Sequence, residues 1–210
     1  WDYRHPENAV QAAARCGVAG PSIAHMWHMP GHIYSRLKRY EDAVYQQEAS
    51  ARVDHAHMIR DRVMPDEINN FAHNNEWLIR NLSFVGRARD AMDLAVNMTQ
   101  LPRHPKYNTL SKSGGSASYG RRRLLQTLRE YQLYEEAIEF CQTSVLAVSS
   151  NPSEQLKTLR LLGCSAAMVG RSDLLATAKQ TIVEYVETAE AEKVDLELQI
   201  KKLNASLDRG

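Results

Sequence analysis

Apolar residues recur every three or four positions along almost the whole chain of 210 residues, and the pattern is broken mainly at glycine or proline. This spacing gathers apolar side chains on one face of an α-helix. β-Hairpins need alternating runs instead, and Val and Ile form none here. We therefore expect an all-α protein with roughly nine helices. The predicted helices cover residues 6–15, 21–37, 40–60, 66–85, 89–101, 119–130, 134–148, 153–169 and 172–207, with a loop over 102–118.

The helices come in pairs, and four pairs share one pattern around the connecting turn. Each has an apolar or aromatic end of the first helix, a tight turn, and an acidic residue just before a small residue of the second helix. At that small position a bulky side chain would push two helices apart. The small positions are Ala43, Ala91 and Ala137, and the fourth pair has Leu175 there. The four segments are SRLKRYEDAVYQQEAS, SFVGRARDAMDLAVNM, TLREYQLYEEAIEFCQTS and AMVGRSDLLATAKQTI.

This pattern resembles the tetratricopeptide repeat (TPR), whose signature is matched in the first pair by Trp27, Gly31, Tyr34, Tyr40 and Ala43. The stretch HMPGHIYSRLKRYEDA is also similar to an HMPxHIY-containing variety of large bacterial multidomain proteins. The resemblance implies a right-handed α-solenoid of antiparallel helical hairpins with a long C-terminal capping helix. It implies one domain over 1–210, a piece of a larger bacterial protein. The implied repeats cover 21–64, 66–104, 118–150 and 153–190, and the C-terminal helix runs to about 207.

The charge balance argues against several partner classes. Lys and Arg number 26 and Asp and Glu number 25, so the formal charge of +1 predicts no binding to nucleic acid. No stretch approaches the roughly 18 to 20 uninterrupted apolar residues of a membrane span, so no membrane insertion is expected. The three cysteines form no CxxC pair, which predicts neither a disulfide framework nor a cysteine zinc site.

All eight histidines lie in the first half of the chain, between His5 and His104. Three of them are spaced by three and four positions and so share one face of their helix. A polar stripe occupies the equivalent face of the first helix in each of the next two pairs. In proteins that resemble TPRs these helices line the concave groove. The groove-facing residues would then be His25, His28, His32, Asn69, His73, Glu76, Arg80, Arg122, Gln126 and Arg129.

Two functions fit such a groove. The first is a protein or peptide interaction scaffold that binds a polar or anionic ligand, because Arg side chains clamp carboxylates and stacked repeats leave a long groove. The second is a site for zinc or another first-row divalent metal, hydrolytic or redox-associated. It would consist of His28, His32, His73 and Glu76, since two histidines four positions apart on a helix can chelate. Histidines that serve only packing or peptide contact are the simpler alternative, and acid/base catalysis without a metal is a further one.

Two further segments carry weaker expectations. Asp54, His55 and His57 follow in the partner helix and are candidate outer-shell groups for a metal. The last predicted helix has a spacing of four and three that suits a short coiled-coil seam and hence self-association, or else a solvated cap. Its seam residues are Ala189, Lys193, Leu196, Ile200, Leu203 and Leu207.

Overall fold

The computed structural model describes residues 4–104, 115–146 and 152–207, so most of the predicted loop over 102–118 lies outside it. Every regular element in these ranges is helical, which confirms the all-α prediction. Short 3-10 turns, Pro6–Ala9 and Pro65–Glu67, precede the first and fourth α-helices. The α-helices are α1 (Val10–Ala19), α2 (Ala24–Arg36), α3 (Tyr40–Asp61), α4 (Asn69–Phe84), α5 (Ala88–Gln100), α6 (Ser116–Glu130), α7 (Tyr134–Cys141), α8 (Pro152–Met168) and α9 (Ser172–Leu207).

The chain divides into two compact units, Trp1–Leu133 and Tyr134–Gly210. In the first unit each helix from α1 to α6 packs against the next, and α4 also contacts α2 and α6. In the second unit α8 packs against both α7 and α9. The third predicted repeat, 118–150, spans the boundary between the two units. All the helices that carry the histidines belong to the first unit.

The same turn closes four helices of the chain. The second residue after the end of each of α2, α4, α6 and α8 adopts a left-handed backbone conformation. These residues are Lys38, Gly86, Gln132 and Gly170. In each turn the N–H of this residue donates to the carbonyl three residues back, and the next N–H donates to the carbonyl five residues back. This is the Schellman arrangement, which satisfies carbonyls that the helix end leaves without partners.

The small positions predicted from the sequence are buried. Each lies five residues after a left-handed turn residue, and Ala43, Ala91 and Ala137 are 0% exposed. Leu175, at the fourth position, is partly buried. The close approach that a small side chain permits recurs between α5 and α6, where a Cβ on Gly120 would lie 2.6 Å from the carbonyl oxygen of Ala95. Residues without bulk therefore set the helix spacing in this part of the chain.

Two predicted helix ends were wrong. The first helix was expected to stop before Gly17, but α1 continues to Ala19. Gly17 allows close packing inside the helix, because the ring of Trp27 lies against it and leaves no room for a Cβ. The Trp27 indole also donates to the Pro21 carbonyl oxygen at 3.1 Å. The helix predicted over 134–148 ends at Cys141, and turns follow it to residue 146.

The long helix α9 packs against α8, but much of its surface is uncovered. Val194, Leu196 and Ile200 are all more than half exposed within the chain. The side chains of the last two seam residues, Leu203 and Leu207, lie outside the described part. None of the described helices, α9 included, is long and apolar enough to cross a membrane.

The repeated turns allow a direct test of their strain. Lys38 has φ 60° and Gly86 has φ 82°, a region that costs an L-residue about 1 kcal/mol or more and costs glycine almost nothing. We expect Lys38→Gly to raise the free energy of unfolding and Gly86→Ala to lower it, each by about 1 kcal/mol, as measured by urea denaturation. Arg52→Gly, in the middle of α3, is the control and should destabilise by about 1 kcal/mol. A Lys38→Gly variant that is destabilised as much as this control would contradict the assignment.

Candidate functional site

Three histidine rings meet between α2 and α4. His28 and His32 come from α2 and His73 comes from α4, and their ligand nitrogens all lie within 4.8 Å of one another. The Nε2 atoms of His28 and His32 are 2.7 Å apart. His28 is 1% and His32 is 8% exposed, whereas the side chain of His73 is 43% exposed. The cluster is thus a buried pair of rings with a third ring at the surface.

Two buried amides hold His28 from the side opposite His32. The Nδ1 atom of His28 lies 2.9 Å from Oδ1 of Asn74 and 3.1 Å from Oε1 of Gln47. Asn74 is on α4, and Gln47 reaches across from α3. Gly31 makes this reach possible, because a Cβ there would collide with the amide of Gln47. The glycine in HMPGHIY therefore serves the site as well as the packing.

The amide orientations fix which nitrogen of His28 carries its hydrogen. Gln47 Nε2 donates to the His28 carbonyl oxygen at 3.4 Å, and Asn74 Nδ2 donates to the Gln47 carbonyl oxygen at 2.9 Å. Both amide oxygens must then face Nδ1, and two acceptors require that Nδ1 donate. The lone pair of the neutral ring is consequently on Nε2, where it accepts from Nε2–H of His32. A metal ligand needs this tautomer, with its other nitrogen bonded to an oxygen.

The buried rings are neutral near neutral pH. Burial lowers the pKa of His28, although its hydrogen bonds to Asn74 and Gln47 act in the opposite direction. Burial, followed by the charges of His28 and His73, lowers the pKa of His32 to about 3. Neutral imidazole is the form that coordinates a cation, and neither ring carries an excess proton. The hydrogen on Nε2 of His32 would still have to move to Nδ1 before Nε2 could bind a metal.

The geometry fits a metal after a small adjustment. Two nitrogens on one tetrahedral zinc, each at roughly 2.0 to 2.1 Å, lie about 3.3 Å apart. The 2.7 Å between the two Nε2 atoms is a hydrogen-bond distance. Metal entry would replace that hydrogen bond and separate the atoms by about half an ångström. The ring of His73 is partly exposed and is therefore the one of the three that can most easily move toward the metal.

Glu76, predicted as a fourth ligand, is held by arginines from α6. Its Oε1 accepts from Arg122 and, at 2.7 Å, from Arg123, while Oε2 lies 3.7 Å from Nδ1 of His73. Burial acts to raise the pKa of Glu76, but His73, Arg123 and Arg122 outweigh it and lower the pKa to about 2. The carboxylate is therefore an ionised neighbour of His73, and the group of three close ligands does not include it.

The remaining predicted residues surround this centre at different depths. His25 is exposed, stacks on His28 with 5.7 Å between ring centres, and lies 3.4 Å from Asn70. The guanidinium of Arg80 lies 4.7 Å above the ring of Trp77, whose edge meets His32 at 4.2 Å. Gln126 accepts from Arg123 and donates to Glu130. Arg129 is exposed on the last turn of α6, and the side chain of Asn69 lies outside the described part.

The candidate outer-shell residues of α3 line a different hollow. Asp54 and His57 border a cavity of about 650 Å³ together with His25 and Asn70, whereas His55 is exposed. Burial raises the pKa of Asp54 to about 6, against the opposing effects of Asn70 and His57. Asp54 is 4% exposed, so its charged form is poorly solvated in the folded chain.

Several residues of the centre were not predicted from the sequence. The groove and metal residues predicted from the sequence do not include Gln47, Asn74, Trp77 or Arg123. One signal was available. The run HNNE, residues 73–76, places four polar residues in succession within an otherwise amphipathic helix. A packed helix with such a run must bury polar groups, and buried polar groups need polar partners on its neighbours.

The raised pKa of Asp54 predicts a pH dependence of stability. A carboxyl whose pKa is about 6 in the folded chain and near 3.9 unfolded binds its proton more tightly when folded. The contribution of this carboxyl to the free energy of unfolding is fully present below pH 4 and is lost as the pH rises through 6. We expect Asp54→Asn to be more stable relative to the natural chain at pH 7 than at pH 4.5, by about 2 kcal/mol, in urea denaturation. A difference that stays constant across this range would contradict the prediction.

Comparisons with known proteins assign no family to this site. No protein-family model matches the chain, and no curated protein and no solved structure matches it either. The resemblance to TPRs thus rests on the sequence pattern alone, and the function must be argued from the geometry.

Proposed function

We propose that the chain binds one divalent first-row transition metal ion, such as zinc, through His28, His32 and His73. The observation that carries this proposal is the convergence of the three ligand nitrogens within 4.8 Å, on rings of which two are buried. Imidazole suits zinc, copper, iron and nickel. A set of three histidines with at least one open position is typical of sites that bind a further ligand.

The fixed tautomer of His28 favours a metal over plain packing. A buried histidine that only fills space needs no more than one hydrogen-bond partner for each ring nitrogen, and that partner can be a donor or an acceptor. Here two fully buried amides, Gln47 and Asn74, present oxygens to the same nitrogen and are themselves held by backbone carbonyls. The arrangement leaves the Nε2 lone pair of His28 aimed at the other rings, as an outer-shell network does in metal sites.

The scaffold function predicted from the sequence is a second proposal, favoured by the four equivalent turns. Turns of one geometry at Lys38, Gly86, Gln132 and Gly170 support a repeated hairpin, and hence a TPR-like solenoid. A groove in such a solenoid would bind a polar or anionic partner. An acidic peptide would compete there with Glu76 for Arg122. Titration with acidic and neutral peptides tests this, and equal binding of both would contradict it.

Metal binding is tested on protein purified without a polyhistidine tag. We expect one Co²⁺ or Zn²⁺ per chain, with Co²⁺ giving visible absorption bands and Zn²⁺ affinity measured by competition with a chromogenic chelator. His73→Ala should abolish stoichiometric binding and leave the circular dichroism spectrum unchanged, because this side chain is 43% exposed and its removal leaves no buried cavity.

The matched control for this experiment is His55→Ala, which removes an exposed histidine of α3. It should bind metal as the natural chain does. Substoichiometric metal in the natural chain, or equal losses in the two variants, would overturn the proposal. A His28→Gln/His32→Gln double variant provides a second test if it stays folded, since Gln keeps a polar side chain but is a poor metal ligand.

The amide network predicts an effect without removal of any ligand. Asn74→Leu leaves Nδ1–H of His28 with one acceptor, and Gln47→Leu does the same from the other side. We expect each to weaken Zn²⁺ binding about 10- to 100-fold and to lower the free energy of unfolding by about 1 to 3 kcal/mol. The control is Asn75→Leu, a neighbouring amide that is 1% exposed and donates to the Phe71 carbonyl. It should lose stability and keep its metal affinity; equal affinity losses in all three would contradict the network's role.

A further inference from the structure

The surroundings of the three-histidine cluster carry excess positive charge. Arg80, Arg122 and Arg123 all lie close to the centre, and Glu76 is the carboxylate among them. Both Arg122 and Arg123 are bound to Glu76. A divalent ion on three neutral rings adds two more positive charges, so any group that completes its coordination lies in a strongly positive field.

Arg80 differs from the other two arginines. Its guanidinium lies 4.7 Å above the ring of Trp77 and 5.3 Å above that of Phe84, which fixes its position by cation–π stacking. Among the described residues it makes no ion pair with a carboxylate. Stacking uses the face of the guanidinium and leaves its edge N–H donors available. Trp77 also packs edge-on against His32 at 4.2 Å, so this cation is held one ring away from the metal ligands.

The open side of the cluster is the side on which these cations lie. His28 and His32 are buried, and behind His28 stand Gln47 and Asn74. His73 is the exposed ring, and Tyr119 and Arg122 of α6 flank it, with Arg122 4.9 Å above the Tyr119 ring. A ligand that approaches from the exposed side would therefore pass His73 and the cationic side chain of Arg122.

We propose that a metal at this centre takes a small oxyanion, a carboxylate or a phosphate, as an additional ligand, with the guanidinium of Arg80 as its countercharge. The inference rests on the proposed metal site and names the chemical class of its ligand. One oxyanion oxygen binds the metal, and the positive charge of Arg80 stabilises the bound anion across the ring of Trp77. A neutral ligand would gain nothing from that charge.

Cobalt spectroscopy tests the ligand class on the intact chain. Acetate and inorganic phosphate are titrated separately into the Co²⁺-loaded protein, and the visible bands are followed. We expect saturable shifts with at least one of the two anions, and the responding anion shows whether the natural ligand is of the carboxylate or the phosphate type. Arg80→Gln should weaken the binding of that anion about tenfold or more without weakening Co²⁺ binding, since it removes a positive charge near the metal. Arg89→Gln, on the exposed face of α5, is the control and should behave like the natural chain.

The possible failures are distinguishable. Absence of stoichiometric Co²⁺ would overturn the metal site itself. Stoichiometric Co²⁺ with no saturable response to either anion would overturn the oxyanion and leave the metal site standing. Equal anion affinities in Arg80→Gln and Arg89→Gln would remove Arg80 from the site. Equal anion binding by the metal-free chain, followed by tryptophan fluorescence, would show that the metal plays no part.

Discussion

A hydrogen-bond chain through the interior joins three helices, and the arrangement of the histidines depends on it. Asn74 donates to the backbone of Gln47, Gln47 donates to the backbone of His28, and both amide oxygens return to the His28 ring. Each of these groups would cost about 1 to 3 kcal/mol if it were buried without a partner. The helices α2, α3 and α4 can therefore shift against one another only by breaking several of these bonds at once. Such a network specifies one register where apolar packing alone would tolerate several.

The same hydrogen bonds explain why the interface between α2 and α3 is polar. The interface of α5 with α6 uses small residues and apolar contacts, including Ala95 and Gly120. Between α2 and α3 the glycine is Gly31, and the space it leaves is filled by the amide of Gln47. A second proton on His28 would set Nε2–H against Nε2–H of His32 at 2.7 Å, so the packing and the neutral state support each other. This interior disfavours protonated rings, and neutral rings are what the proposed metal site requires.

The sequence was sufficient for the helices and for half of the centre. Helical periodicity and the turn pattern predicted the elements, because Schellman turns and small interhelical residues leave local signals that one chain displays. The pairing of His28 with His32 followed from their spacing, and His73 from the equivalent stripe. The supporting groups were missed for a physical reason. Gln47 acts from 19 residues away through an approach that Gly31 permits, and no pattern along the chain encodes which side chain enters such a gap. Gly17 shows the same limit, since its role depends on the distant ring of Trp27.

The position of Glu76 bears on which groups could complete the proposed metal site. A carboxylate one turn from His73 is a natural candidate for the metal, and the sequence alone favours it. In the folded chain it accepts from two guanidiniums, and the pKa near 2 reflects how strongly its charged form is held there. Its Oε1 accepts from both arginines, whereas Oε2 lies 3.7 Å from Nδ1 of His73. A shift of the carboxylate toward the proposed metal would disturb these two ion pairs beside added positive charge. In the folded chain Glu76 is an ionised neighbour of His73, the place that an outer-shell carboxylate takes in a metal site. In the proposed metal site the protein would then supply three nitrogens, and an oxygen ligand that offsets the positive charge would enter from solvent.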